Sequence, residues 1–162
     1  VCPPEWIRAM DAGQPVQQAI AERSRMFPAY AGLIAMWDSH WEVMLRDAIH
    51  ETVEVLSELR ARRTRLFALT NWSAENFPIA FRRFEFFRWF EDIVVSGEVG
   101  LVKPDLRIYR LAIERCRLAP AKTVFIDDNT DNVAAGSKAG LHSIRFTDAS
   151  RLRSDLQALG LL

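Results

Sequence analysis

The strongest constraint on this chain of 162 residues is a repeated grammar: short apolar runs that stop at polar residues, separated by helical stretches. RLFALT at 65–70, DIVVS at 92–96, TVFID at 123–127 and HSIRF at 142–146 are β-branched or aromatic runs of strand length. The segments between them have helical spacing. Strands alternating with helices predict an α/β fold with a Rossmann-like parallel sheet, because a parallel pair needs a crossover and a helix is the usual one. Helix starts are expected near Ser73, at Pro104 just after Lys103, at Asn129 or Thr130, and at Asp148 or Ser150. Gly140 stands where a helix should stop.

Ahead of this pattern, residues 5 to about 62 read as helix throughout, with apolar positions at Ile34, Trp37, Trp41, Met44 and Leu45. A second stripe follows at Ile49, Val53, Leu56 and Leu59, opposite a charged face. A boundary near residue 48 therefore divides a helical region, 1–48, from an α/β core, 49–162.

Composition excludes several classes. Lys and Arg balance Asp and Glu, so no basic excess is available for a phosphate backbone and nucleic acid is not an expected partner. Charges interrupt every apolar stretch before it could span a bilayer, so no membrane segment is expected. Cys2 and Cys116 have neither metal-ligand spacing nor disulfide density, which suits reduced thiols in a cytoplasmic protein. The opening VCPPEW has no initiator Met and no leader-like pattern, from which we expect an upstream portion to be absent. His40, His50 and His142 lack zinc-site spacing, and the aromatics from Phe77 to Phe90 suit packing against a sheet.

In an open parallel sheet, ligands gather beyond the carboxyl ends of the strands. The first strand ends in Thr70-Asn71-Trp72-Ser73, the second leads to Lys103, and the third ends in Asp127-Asp128-Asn129, so a hydroxyl, an ammonium and two carboxylates are expected at one edge. Adjacent carboxylates repel, and a divalent cation with oxygen ligands such as Mg²⁺ relieves the cost; capping of the next helix is the competing role, which one Asp would fill. Lys103 is the first lysine of a chain that otherwise uses arginine, and a compact ammonium suits a phosphoryl oxygen or a nucleophilic carboxylate. Thr70 and Asn71, followed by N–H groups at a helix start, form a candidate phosphate site; each also fits an ordinary strand-end turn. Trp72 is a candidate for the border of a substrate cavity as well as for core packing.

LFALTNWS, SGEVGLVKPDLRIY and TVFIDDNTDNVAAGSKAG, in that order, resemble the motifs of the haloacid dehalogenase superfamily. The likeness covers 49–162, and the preceding helices resemble the small cap of one branch. The resemblance implies that Thr70 binds the transferring phosphoryl group with Asn71 supporting it, and that Lys103 steadies nucleophile and phosphate. It further implies that Asp128 binds Mg²⁺ directly, that Asp127 binds it directly or through water, and that Asn132 acts behind them. Attack by an aspartate, an aspartyl-phosphate intermediate and its hydrolysis by water would follow.

One departure is large. The family's first motif, an apolar strand ending in Asp-x-Asp, is nowhere in these residues, and Asp11 and Asp38 lie in helical contexts. In relatives that strand lies between those matching Leu66 to Leu69 and Val124 to Ile126, so two unpaired edges are expected. The implied function is a Mg²⁺-dependent phosphatase for a small phosphorylated metabolite, complete only with that strand. The alternatives are a 2-haloacid dehalogenase-like hydrolase, against which the acid pair argues, and a noncatalytic truncated module. A monomer or a homodimer fits equally.

Overall fold

The computed structural model describes residues 1–162. The helical region is not continuous: it runs as α1 (Pro4–Asp11), α2 (Val16–Met26), a 3₁₀ turn (Pro28–Tyr30), α3 (Ala31–Ser39) and α4 (Trp41–Met44), and residues 45–49 leave the helix altogether. The breaks have local causes. Gly13 takes φ +100°, which L side chains rarely adopt, Pro15 stands as the residue before α2, and Pro28 opens the 3₁₀ turn. α5 (His50–Ala61) buries Val55 and Leu59, whereas Ile49, assigned to its stripe, is 57% exposed because it precedes the first turn.

The strands fall where expected: β1 (Phe67–Thr70), β2 (Asp92–Val95), β3 (Val124–Asp127) and β4 (His142–Arg145). They form two separate two-stranded sheets, β1 with β2 and β3 with β4, rather than one continuous sheet. No ladder joins β1 to β3. The β3–β4 pair is parallel, with Ile126 opposite Ile144 and Asp127 opposite Arg145. Its crossover is α9 (Thr130–Lys138), capped by Asn129 and stopped before Gly140, which takes φ +91°.

Two helix starts differ from expectation. α6 begins at Phe77, not near Ser73, because the Ser73 hydroxyl accepts the N–H of Glu75 and holds a turn instead. After β2 and α7 (Ser96–Val99), α8 (Leu106–Arg115) is capped by Asp105, which accepts the N–H of Arg107 at 2.9 Å; Pro104 lies outside it. Asp148 caps α10 (Ala149–Ala158) as expected.

By internal packing the chain forms two units. The first comprises Val1–Asp47, Leu69–Glu85 and Val94–Val102, and the second Ala48–Ala68, Phe86–Ile93 and Lys103–Leu162. The first has a core of Trp6, Met10, Val16, Ala19, Ile20 and Ile34, locked by the Trp6 indole N–H donating to the Ala19 carbonyl at 3.1 Å. The second packs Val55, Leu59, Leu66, Leu152 and Leu156 together, with Ile126 of β3 against them. No helix is long and apolar enough to cross a membrane.

Candidate functional site

Within the second unit, β3 delivers Asp127 to a position where each carboxylate oxygen has its own partners. Oδ2 accepts the Lys103 ammonium at 2.7 Å; Oδ1 accepts the backbone N–H of Asn129 at 2.9 Å and the Asn132 amide at 3.0 Å. Lys103 and Asp127 are only 8% and 9% exposed, so this is a buried ion pair whose carboxylate is further held by two hydrogen bonds at Oδ1. The Asn129 side chain accepts the N–H groups of Asp131 and Asn132, which fixes the first turn of α9 and so aims Asn132.

Two further residues, not singled out in the sequence, hold this arrangement. Tyr109, fully buried on α8, donates its hydroxyl to the Asn132 carbonyl at 2.8 Å and stacks edge-on against Phe125 at 5.3 Å. Gly136 lets α9 sit directly on β3 and β4: a Cβ there would lie 2.6 Å from the Phe125 ring and 2.7 Å from the Ser143 hydroxyl. Neither had a sequence signal, since a tyrosine at helical spacing reads as core and a helical glycine as neutral.

Electrostatics follow from this packing. Burial pushes the Asp127 carboxyl up, but the Lys103 ammonium, with help from Asn132 and the Asn129 N–H, pulls it further down, and the net result lies below the ordinary carboxylate value. Burial raises the Tyr109 hydroxyl, and the Asp127 charge adds to this, so it remains a hydrogen-bond donor throughout the neutral range. Asp128, the next residue, is exposed.

The chemistry of these donors fits Mg²⁺. Asp127 and Asp128 offer hard carboxylate oxygens in succession, and no group of three or more His, Cys, Asp or Glu forms a cage around them. Mg²⁺ asks for little more, since it typically keeps several waters and takes one or two carboxylates plus phosphate oxygens. Asp127 is already committed to Lys103, Asn129 and Asn132, which leaves Asp128 as the more available oxygen donor.

Thr70, Asn71 and Trp72 belong to the first unit, where the turn after β1 is tightly held. The Trp72 N–H donates to the Ser96 hydroxyl at 2.9 Å, and the Gly97 N–H donates to the Trp72 carbonyl at 3.0 Å. The expected row of N–H groups at a helix start is therefore not available: no helix starts here, and the Trp72 amide is taken. Thr70 closes β1, and Asn71 follows it directly. Trp72 sits in an aromatic row between Trp41, at 6.5 Å, and Phe77, at 5.7 Å, with its indole N–H buried and without an acceptor.

The profile of the haloacid dehalogenase-like hydrolase family matches residues 4–140. Acyl-CoA dehydrogenase family member 10 of Mus musculus is 26% identical over 164 residues, covering 95% of this chain and 15% of its own length. A sesquiterpene phosphatase of Aspergillus oryzae is 29% identical over 107 residues, 65% of this chain and 54% of the relative. A phosphorylated carbohydrates phosphatase of Thermotoga maritima is 30% identical over 91 residues, 56% of this chain and 42% of the relative. The chain thus spans about half or less of the curated relatives it matches. Among solved structures, an HAD family enzyme of Bacteroides thetaiotaomicron, in complex with magnesium and inorganic phosphate, superposes with TM-score 0.72 at 18% identity, covering 91% of this chain and 80% of that one. A HAD-like family hydrolase of Porphyromonas gingivalis gives 0.72 at 19%, covering 97% and 79%. The fold agrees with these structures, the profile spans most of the residues, and the chain belongs to the haloacid dehalogenase-like hydrolase family.

Proposed function

We propose that this chain belongs to a Mg²⁺-dependent phosphatase acting on a small phosphorylated metabolite. The observation that carries the reading is the buried Lys103–Asp127 pair followed at once by the exposed Asp128 carboxylate. Phosphatases among the relatives support it: a sesquiterpene phosphatase, a phosphorylated carbohydrates phosphatase and a glyceraldehyde 3-phosphate phosphatase. Carbon–halogen hydrolysis fits less well, since a metal-free site gains nothing from two consecutive acids.

In this reading the Thr70 hydroxyl donates to a phosphoryl oxygen, and Asn71 holds the turn that presents it. Trp72 borders the organic part of the substrate. Lys103 offsets phosphoryl charge while its bond to Asp127 keeps the ammonium fixed, so little reorganisation accompanies the reaction. Asp128, with Asp127 directly or through water, holds Mg²⁺, which when bound neutralises charge on the transferring group. An aspartate of the family's Asp-x-Asp strand, not contained in these residues, forms the bond to phosphorus as the bond to the leaving alcohol breaks; the second acid of that strand protonates the alcohol. Water then cleaves the aspartyl phosphate, releasing inorganic phosphate and restoring the carboxylate. The two unpaired thiols, Cys2 and Cys116, suit work in the cytoplasm. The protein acts as a monomer or homodimer.

Calorimetric titration of this chain with Mg²⁺ tests the metal assignment. Asp128→Asn should abolish the heat of binding while leaving the circular dichroism spectrum unchanged; undiminished Mg²⁺ affinity in that variant would refute it.

A further inference from the structure

Within the first unit a row of rings runs from the helical region to the turn after β1. Trp6 meets Trp37 at 5.3 Å, Trp37 meets Trp41 at 5.2 Å, Trp41 meets Trp72 at 6.5 Å, and Trp72 meets Phe77 at 5.7 Å. The ends of the row, Trp6 and Phe77, are buried, whereas Trp37, Trp41 and Trp72 between them are only half-buried. Trp72 stands two residues beyond Thr70, the last residue of β1. The indole N–H groups of Trp37, Trp41 and Trp72 are all buried, and none has an acceptor. Burying a donor unpaired is costly, so hydrogen bonding does not explain why indoles stand at these three positions. The consequence is chemical: with its one polar atom inside, each side chain presents only ring carbon to whatever lies against it.

Polar groups beside the row are committed to the protein itself. The Ser96 hydroxyl accepts the Trp72 N–H and donates to the Trp72 carbonyl at 3.3 Å, and the Ser73 hydroxyl accepts the Glu75 N–H at 3.2 Å. Arg83, the last residue of α6, donates from Nη1 to the carbonyls of Glu42 at 3.2 Å and Leu45 at 2.9 Å, and from Nη2 to Asp47 Oδ1 at 3.3 Å. Those two carbonyls belong to the end of α4, which begins at Trp41, while α6 begins at Phe77. The guanidinium therefore joins the two helices whose rings flank Trp72 on either side.

We propose that Trp41 and Trp72, held in place by Arg83, are specificity-determining residues that select phosphates of apolar alcohols over phosphates of polyols. This deepens the phosphatase reading above and rests on it. A phosphoryl group bound at Thr70 puts the organic part of the ester beside Trp72. An alkyl or aryl group there exchanges water for ring carbon, which is favourable. Hydroxyl groups in the same place leave water and find neither donor nor acceptor on the rings.

The test compares kcat/KM for 2-phenylethyl phosphate and glycerol 1-phosphate, with Mg²⁺, in the longest natural chain that contains these residues together with an Asp-x-Asp strand. Both esters release a primary alcohol, so their ratio reports recognition rather than leaving-group reactivity. The wild type should favour 2-phenylethyl phosphate by about tenfold or more. Trp41→Ala and Trp72→Ala should each bring the ratio towards unity, chiefly through KM for 2-phenylethyl phosphate. Trp41→Phe and Trp72→Phe, which keep a carbon ring and lose the N–H, should preserve most of it. Arg83→Lys, which keeps the charge and loses the fork, should lower the ratio and weaken the near-ultraviolet circular dichroism of the tryptophans. A wild type that hydrolyses glycerol 1-phosphate as well or better, a ratio unchanged in both alanine variants, or a preference lost as fully with Phe as with Ala would overturn the proposal and leave the phosphatase reading intact. So would turnover of p-nitrophenyl phosphate with neither ester hydrolysed, whereas failure on all three compounds would overturn both. If an alanine variant does not fold, the wild-type ratio and the Phe variants still decide the matter.

Discussion

Lys103 Nζ lies 2.7 Å from Asp127 Oδ2, with both side chains nearly out of solvent. Removing one member of such a pair strands a buried charge, whereas removing both does not. Lys103→Ala should therefore cost about 3–5 kcal/mol in urea denaturation, and Lys103→Ala combined with Asp127→Ala clearly less. Equal losses in the single and double variants would show that the pair is not coupled.

Stability should also respond to pH in opposite senses at two carboxylates. Asp127 has its folded pKa below the unfolded value of about 3.9. Its stabilising contribution is thus present above that value and is lost as pH falls through the folded one. Asp11, pushed up to about 6, behaves in reverse: its contribution is full below the unfolded value and is lost as pH rises through about 6. Asp11→Asn should accordingly gain Tm relative to wild type between pH 4 and 7, with the difference growing as pH rises. A constant offset across that range would contradict the assignment.

Two glycines separate packing from recognition. Gly136→Ala meets the ends of side chains, Phe125 and the Ser143 hydroxyl, and should cost about 1–3 kcal/mol as α9 is pushed off the strands. Gly97→Ala meets backbone at 2.4 Å, which cannot move aside without displacing the turn after β1. It should reduce phosphate affinity more than Gly136→Ala does at matched stability, as isothermal titration would show.

Much of this was legible in the residues because the signals were local. Four apolar runs became β1 to β4, Asn129 and Asp148 became caps, and Asp127 with Asp128 followed the third strand as read. Helix continuity over 5–62 was misread because Gly13, Pro15 and Pro28 were outvoted by the apolar spacing around them. Ser73 looked like a helix start, but its hydroxyl turned back on the Glu75 N–H. Tyr109 and Gly136 were invisible because their partners, Asn132 for the one and Phe125 and Ser143 for the other, lie on different elements, which no local pattern encodes.

The most direct test is phosphatase assay of the longest natural chain that contains these residues together with an Asp-x-Asp strand, using p-nitrophenyl phosphate with Mg²⁺ or with EDTA. We predict turnover only with Mg²⁺, and a loss on the order of a hundredfold or more in Asp128→Asn. Turnover that persists in EDTA, or an Asp128→Asn variant as active as wild type, would contradict the account.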